Sequence, residues 1–134
     1  QQYLLHCRFP DDIAELGAAV GKMVEHHSDY LTLLYVDIAE FGGVHARPHY
    51  ARMMSSFEAV LAPRFAELRG SSDGPDPAVV FTAIYMQFSN YFIVERLIGA
   101  KGHLGLSDGK AIAALTALFE RGVGHWSGTK GNGK

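Results

Sequence analysis

Residues 77–94, PAVVFTAIYMQFSNYFIV, carry no charge and are apolar on nearly every side, with Asp76 before them and Glu95-Arg96 after. The run is long enough for a helix of several turns. At 100° per residue, Phe81, Tyr85, Phe88 and Phe92 fall on one face, and Val79, Ala83, Asn90, Val94 and Leu97 on roughly the opposite one. Two apolar faces need two partners. In a chain of 134 residues one face goes to the domain's own core. The other is most easily covered by a second copy of the same protein.

A membrane span needs about 20 apolar residues, and this run is slightly shorter. Gln87, Ser89 and Asn90 interrupt its second half, and no Lys or Arg cluster flanks it. These features argue for a buried or interfacial helix and against a spanning one. The length gives one domain with a real core. A net charge of −2 offers no electrostatic footprint for nucleic acid. The single cysteine, Cys7, excludes an intrachain disulfide framework and fits a reducing, cytoplasmic setting. The chain starts QQYLLHCRF without an initiating methionine, as expected of a segment taken from something longer.

Working outward from residues 77–94, the hydrophobic period is helical throughout, which predicts an all-α domain of about five helices over residues 1–126. The first helix starts near Pro10-Asp11-Asp12 and runs to about His26. Ser28 or Asp29 caps the second, which ends at Phe41 before Gly42-Gly43. Pro48 fits the first turn of the third, whose stripe is Tyr50, Met53, Met54, Phe57, Val60, Leu61, Phe65 and Leu68. Pro63 should kink it. Residues 70–75 read as a loop, and Ser107-Asp108 caps a last helix to about Trp126. The tail, residues 127–134, reads as flexible. In the last helix Ile112, Leu115, Phe119 and Trp126 form an apolar stripe, while Ala113, Ala117 and Gly124 form a small-residue face. Such a face serves packing within the chain or contact with a second copy; two consecutive two-faced helices are expected to make half of an intermolecular four-helix bundle, giving a homodimer.

The order of helix, helix, Pro-containing helix over residues 48–69, Asp76-Pro77 and long apolar helix, then LSDGKAIAALTALFERGV over residues 106–123, resembles the C-terminal domain of TetR-family transcriptional regulators. The likeness spans almost the whole chain. It implies dimerisation through the last two helices and a small-molecule pocket between the others. It also implies a repressor whose operator DNA is read by an N-terminal helix-turn-helix domain. That domain is missing from these residues, so DNA contact would come only through it. Ligand and operator would then prefer different packings, each weakening the other by the same factor.

The expected pocket lining is Tyr50, Met53, Met54 and Phe57 facing Tyr85, Phe88, Ser89 and Phe92, with Tyr30, Leu34 and Asp37 from the second helix. Apolar and aromatic surface with uncharged polar groups suits a lipophilic or aromatic effector. Asp37 lies on the stripe Tyr30, Leu34, Phe41, where a carboxylate needs a partner. It either pairs with Arg47 or Arg52 or offers an acceptor to a ligand.

Other classes fit less well. His45 and His49 are four apart, but Pro48 splits them between loop and first turn. No glutamate stands three residues before a histidine, as a di-iron bundle requires. No metal or cofactor is therefore expected. Residues 99–105, GAKGHLG, match no phosphate loop or dinucleotide fingerprint. Gly-x-Ser-x-Gly is absent and no nucleophile-base pair stands out, so the chain does not read as an enzyme. The alternative is a stand-alone, all-helical dimeric interaction module with a filled core.

Overall fold

The structure is a computed structural model describing residues 8–71 and 73–127, with side chains on the last helix described through residue 121. Cys7, the side chains at Gly124 and Trp126, and the tail beyond Ser127 lie outside the described residues. Among these there are five helices and no strand: α1 (Ile13–His26), α2 (Ser28–Phe41), α3 (Ala46–Ser71), α4 (Pro77–Arg96) and α5 (Asp108–Ser127).

Local signals set the helix ends. Asp12 caps α1 by accepting from the Glu15 N–H at 2.8 Å. Asp76 caps α4 through the Ala78 N–H at 2.8 Å, and Pro77 sits at the first helical position, where its missing N–H costs nothing. Gly42 ends α2 in the left-handed region at φ 62°. Two expected details differ. His27, between α1 and α2, occupies the cap of α2 without a side-chain bond, so Ser28 and Asp29 lie inside the helix. The third helix begins at Ala46, two residues before Pro48, and runs unbroken through Pro63. Arg69 continues the order into α4 by gripping Asp76 at 2.6 Å.

The core forms where α1 packs on α4 and α5, with α3 closing the far side of α4. Leu16, Val20 and Val24 of α1 meet Phe81, Ile84, Phe88 and Phe92 of α4, all fully buried. Phe57 and Phe65 of α3 and Phe9 before α1 complete an edge-to-face ring cluster around Phe81, with centroids 5.2 to 6.0 Å from it. The helix α4 has the length and composition to cross a membrane, yet nearly half of it is buried inside this bundle.

The closest approach is made by glycine. A Cβ built on Gly17 would lie 2.8 Å from the Phe88 ring and 3.2 Å from Ile112, and one on Gly21 would lie 2.8 Å from the Phe92 ring. Two glycines four apart on α1 thus form a flat seat for two rings of α4. The end of α4 is tied to the same seat: Arg96 donates to the Gly21 carbonyl and to Asp108 at 3.0 Å, with its guanidinium 4.6 Å above the Phe92 ring. The Tyr91 hydroxyl donates to Asp108 at 3.3 Å, and burial beside Glu95 and Asp108 pushes its pKa up to about 12, so the phenol stays protonated.

These contacts give opposite signs to two glycine substitutions. Alanine gains about 1 kcal/mol over glycine in a helix interior, but overpacking costs typically ~1–3 kcal/mol. Gly17→Ala is therefore expected to lose about 1 kcal/mol net in urea unfolding. At Gly70 on α3 nothing lies within 4 Å and φ is negative, so Gly70→Ala should gain ~0.4–1 kcal/mol.

Candidate functional site

The helices α1 to α4 do not close completely on one another. A cavity of about 430 Å³ lies between them, within the usual range for small-molecule sites. It is lined by Met23 and Val24 of α1, by His27 between the helices, and by Tyr30, Leu31 and Tyr35 of α2. The helix α3 contributes His49, Tyr50, Arg52, Met53, Ser56 and Phe57, and α4 contributes Tyr85, Met86, Ser89, Asn90 and Ile93. Burial orders these residues by depth. Val24, Phe57, Tyr85, Ser89 and Ile93 are buried and form the floor, whereas His27, Tyr30, Tyr35, Tyr50 and Arg52 are exposed and form the mouth.

The polar groups have unequal partners. The Tyr30 hydroxyl and His49 Nδ1 are hydrogen-bonded at 2.9 Å, joining α2 to α3 across the mouth. Burial, and then the charge of Arg52, hold the His49 pKa below its ordinary value, so the ring is neutral at pH 7. Burial raises the Tyr50 pKa, helped by Tyr35, and also raises that of Tyr85, so both phenols remain protonated. On the floor Ser89 is 8% exposed and its Oγ has no hydrogen-bond partner of sound geometry. The hydroxyl sits near enough to Tyr85 to oppose the rise in its pKa without forming a well-aligned bond. An unsatisfied buried hydroxyl costs about 1–3 kcal/mol.

Six expected ligand residues meet in this cavity: Tyr30, Tyr50, Met53, Phe57, Tyr85 and Ser89. The other five lie elsewhere. Phe88 and Phe92 are drawn away to the glycine seat on α1, Leu34 is buried in α2 outside the cavity, and Met54 packs beside the main core near Thr82. Asp37 faces the turn after its own helix. It accepts from His45 Nδ1 at 2.6 Å and from the His45 and Ala46 N–H groups at 3.0 and 2.9 Å. It pairs with neither Arg47 nor Arg52; Arg47 donates to the Gly42 carbonyl. His45 and His49 therefore serve different partners, and among the described residues no three His, Cys, Asp or Glu side chains gather as a metal site.

A second buried carboxylate repeats this device. Glu95 accepts from His103 Nδ1 at 2.6 Å and from the Gly102 and His103 N–H groups at 2.8 and 3.3 Å. Each acid lies near the end of its helix, and its histidine follows eight residues later, across a glycine turn. The cavity residues that sequence reasoning missed include His27, His49, Arg52 and Met86, polar or exposed positions off the apolar stripes.

The faces expected to meet a second copy are largely uncovered. On α4 Val79 is 63% exposed and Ala83 is exposed, and on α5 Ala113 is exposed; Leu118, elsewhere on α5, is 64% exposed. Val94, Leu97 and Ala117 are half-buried. Asn90 has two exposures, to this face and to the cavity. Comparisons with protein-family models, with curated proteins and with solved structures returned no match.

The environment of Asp37 predicts a pH signature. Burial alone would raise its pKa, but the His45 side chain and the two backbone donors outweigh it and hold the carboxyl below its ordinary value. Because the folded pKa is depressed, this stabilisation is fully present above the unfolded value of about 3.9 and is lost as pH falls through the folded value. Asp37→Asn should be clearly less stable than the parent at pH 7. The gap should narrow below about pH 4 in thermal unfolding followed across pH.

Proposed function

We propose that this chain is the small-molecule-sensing and dimerisation domain of a TetR-type transcriptional regulator, working in the cytoplasm as a homodimer. The observation that carries the reading is the cavity of about 430 Å³ bounded by α1 to α4, with a buried apolar floor and a polar mouth. The outward apolar faces of α4 and α5 support the dimer, since they are the surfaces that a four-helix interface between two copies would cover. The role is binding and not catalysis, and it calls on no metal or cofactor.

Regulation then rests on coupling. A ligand in the cavity touches four helices, including α4, where Asn90 belongs both to the lining and to the proposed interface. Operator DNA, read by an attached helix-turn-helix domain, demands a fixed half-site spacing of about one helical turn or its multiples. Ligand and DNA would favour different dimer geometries, so each would weaken the other.

The second reading, a helical interaction module without a ligand, draws on α2. Leu33, Val36, Ile38 and Phe41 are exposed there, and in that helix Leu34 and Asp37 alone are buried. That surface fits a protein partner, but a filled core would be expected in place of the cavity.

Native mass spectrometry separates the two. The expected result is a dimer that retains a small-molecule adduct, with Val79→Glu giving folded monomers because a carboxylate would be buried without a partner. A monomer throughout a micromolar concentration series, carrying no adduct, would overturn the sensor reading.

A further inference from the structure

We infer that the ligand of this cavity is an amphipathic anion, a lipophilic carboxylic acid whose carboxylate is held at the mouth by Arg52. The inference rests on the sensor reading above and adds the chemical class of the effector.

The first observation is the charge of the lining. It contains one formal cation, Arg52, and no carboxylate. Five other arginines of the fold are occupied: Arg8, Arg64, Arg69 and Arg96 each pair with at least one Asp or Glu, and Arg47 donates to the Gly42 carbonyl, while Arg121 lies on α5 outside the lining. The Arg52 guanidinium has no hydrogen bond or ion pair among the described residues. A fork of donors without an acid opposite it matches a carboxylate in geometry as well as charge.

The second observation is what surrounds that fork. Tyr50 presents a neutral phenol at the mouth with the Tyr35 hydroxyl nearby, and the neutral His49 ring has its Nδ1 engaged by Tyr30, which leaves Nε2 for another partner. The phenols can donate to a bound carboxylate without adding a second negative charge, as can His49 Nε2 in the tautomer whose Nδ1 accepts from the Tyr30 hydroxyl. An ammonium ligand would meet the like charge of Arg52 and find no anion.

The third is the gradient from mouth to floor. Val24, Phe57 and Ile93 are buried beneath the polar rim, and the thioethers of Met23, Met53 and Met86 adapt to an irregular alkyl or aryl body. A free acid with an apolar tail satisfies both ends. A wholly apolar molecule leaves Arg52 and the phenols without a partner as it covers them, and a small hydrophilic acid leaves the floor unfilled. The unpartnered Ser89 Oγ on the floor adds a place for an oxygen substituent on the tail.

Isothermal titration of the purified protein with decanoate, decanol and decylamine tests this directly. The three probes share a chain and differ in head group. Decanoate is expected to bind at least about tenfold more tightly than decanol, and decylamine most weakly. Arg52→Gln should bring decanoate to the level of decanol while leaving decanol and the thermal midpoint unchanged, since Arg52 is exposed and anchors no other element. Equal binding of all three heads, or a decanoate affinity indifferent to Arg52→Gln, overturns the anion assignment and leaves the cavity reading in place. Failure of every probe to bind overturns both, because a site with this apolar floor should accept decanol at millimolar concentration or below.

Discussion

The fold depends on how closely α1 can approach α4. Gly17 and Gly21 leave no side chain where Phe88 and Phe92 sit, with ring atoms 2.8 Å from each missing Cβ position. Every large residue at either position would push the two helices apart, and α5 would follow, because Ile112 packs against the same seat. The rings of α4 are drawn into the main core by this contact. Arg96 locks the arrangement at one end by bonding α1, stacking on Phe92 and holding Asp108 at the start of α5.

The same geometry accounts for the cavity. With Phe88 and Phe92 turned toward α1, the side of α4 bearing Tyr85, Met86, Ser89 and Asn90 faces a region that α2 and α3 bound without filling. The helix α2 is lightly anchored: two of its residues are buried, and the Tyr30 bond to His49 ties its start to α3. The turn after it is held separately by Asp37, and the turn after α4 by Glu95 in the same manner. Two buried carboxylates thus fix the glycine turns after α2 and α4, two of the four helices that line the cavity, while the cavity wall itself has adaptable side chains. This division suits a domain that binds a small molecule without unfolding its frame.

Much of this order is visible in the residues. The two-faced character of 77–94 gives both the buried stripe and the exposed strip with Val79 and Ala83, and capping by Asp12, Asp76 and Gly42 sets helix ends within a few residues. What escapes is set by packing between elements distant in sequence. A wheel puts Phe88 and Phe92 on one stripe with Tyr85, but only the Gly17-Gly21 seat decides that two of these rings leave the pocket side. Asp37 reads as an isolated acid on an apolar stripe because its partner lies past the helix end. The recurrence of an acid followed eight residues later by His, in Asp37 with His45 and Glu95 with His103, is the signal that could have revealed it. Arg52 and His49 fall off the apolar stripe, and apolar periodicity alone passes over the mouth of a cavity.

The central claim is that the space between α1 and α4 is a ligand site and not a packing defect. A crystal structure of the protein purified from its native cells, without added ligand, addresses it most directly. The expected result is density for an elongated molecule, one end between Arg52 and Tyr50 and the other against Val24 and Phe57. A space holding only water, or closed by Met23, Met53 and Met86 folding inward with Ser89 bonded to its own chain, would contradict the claim.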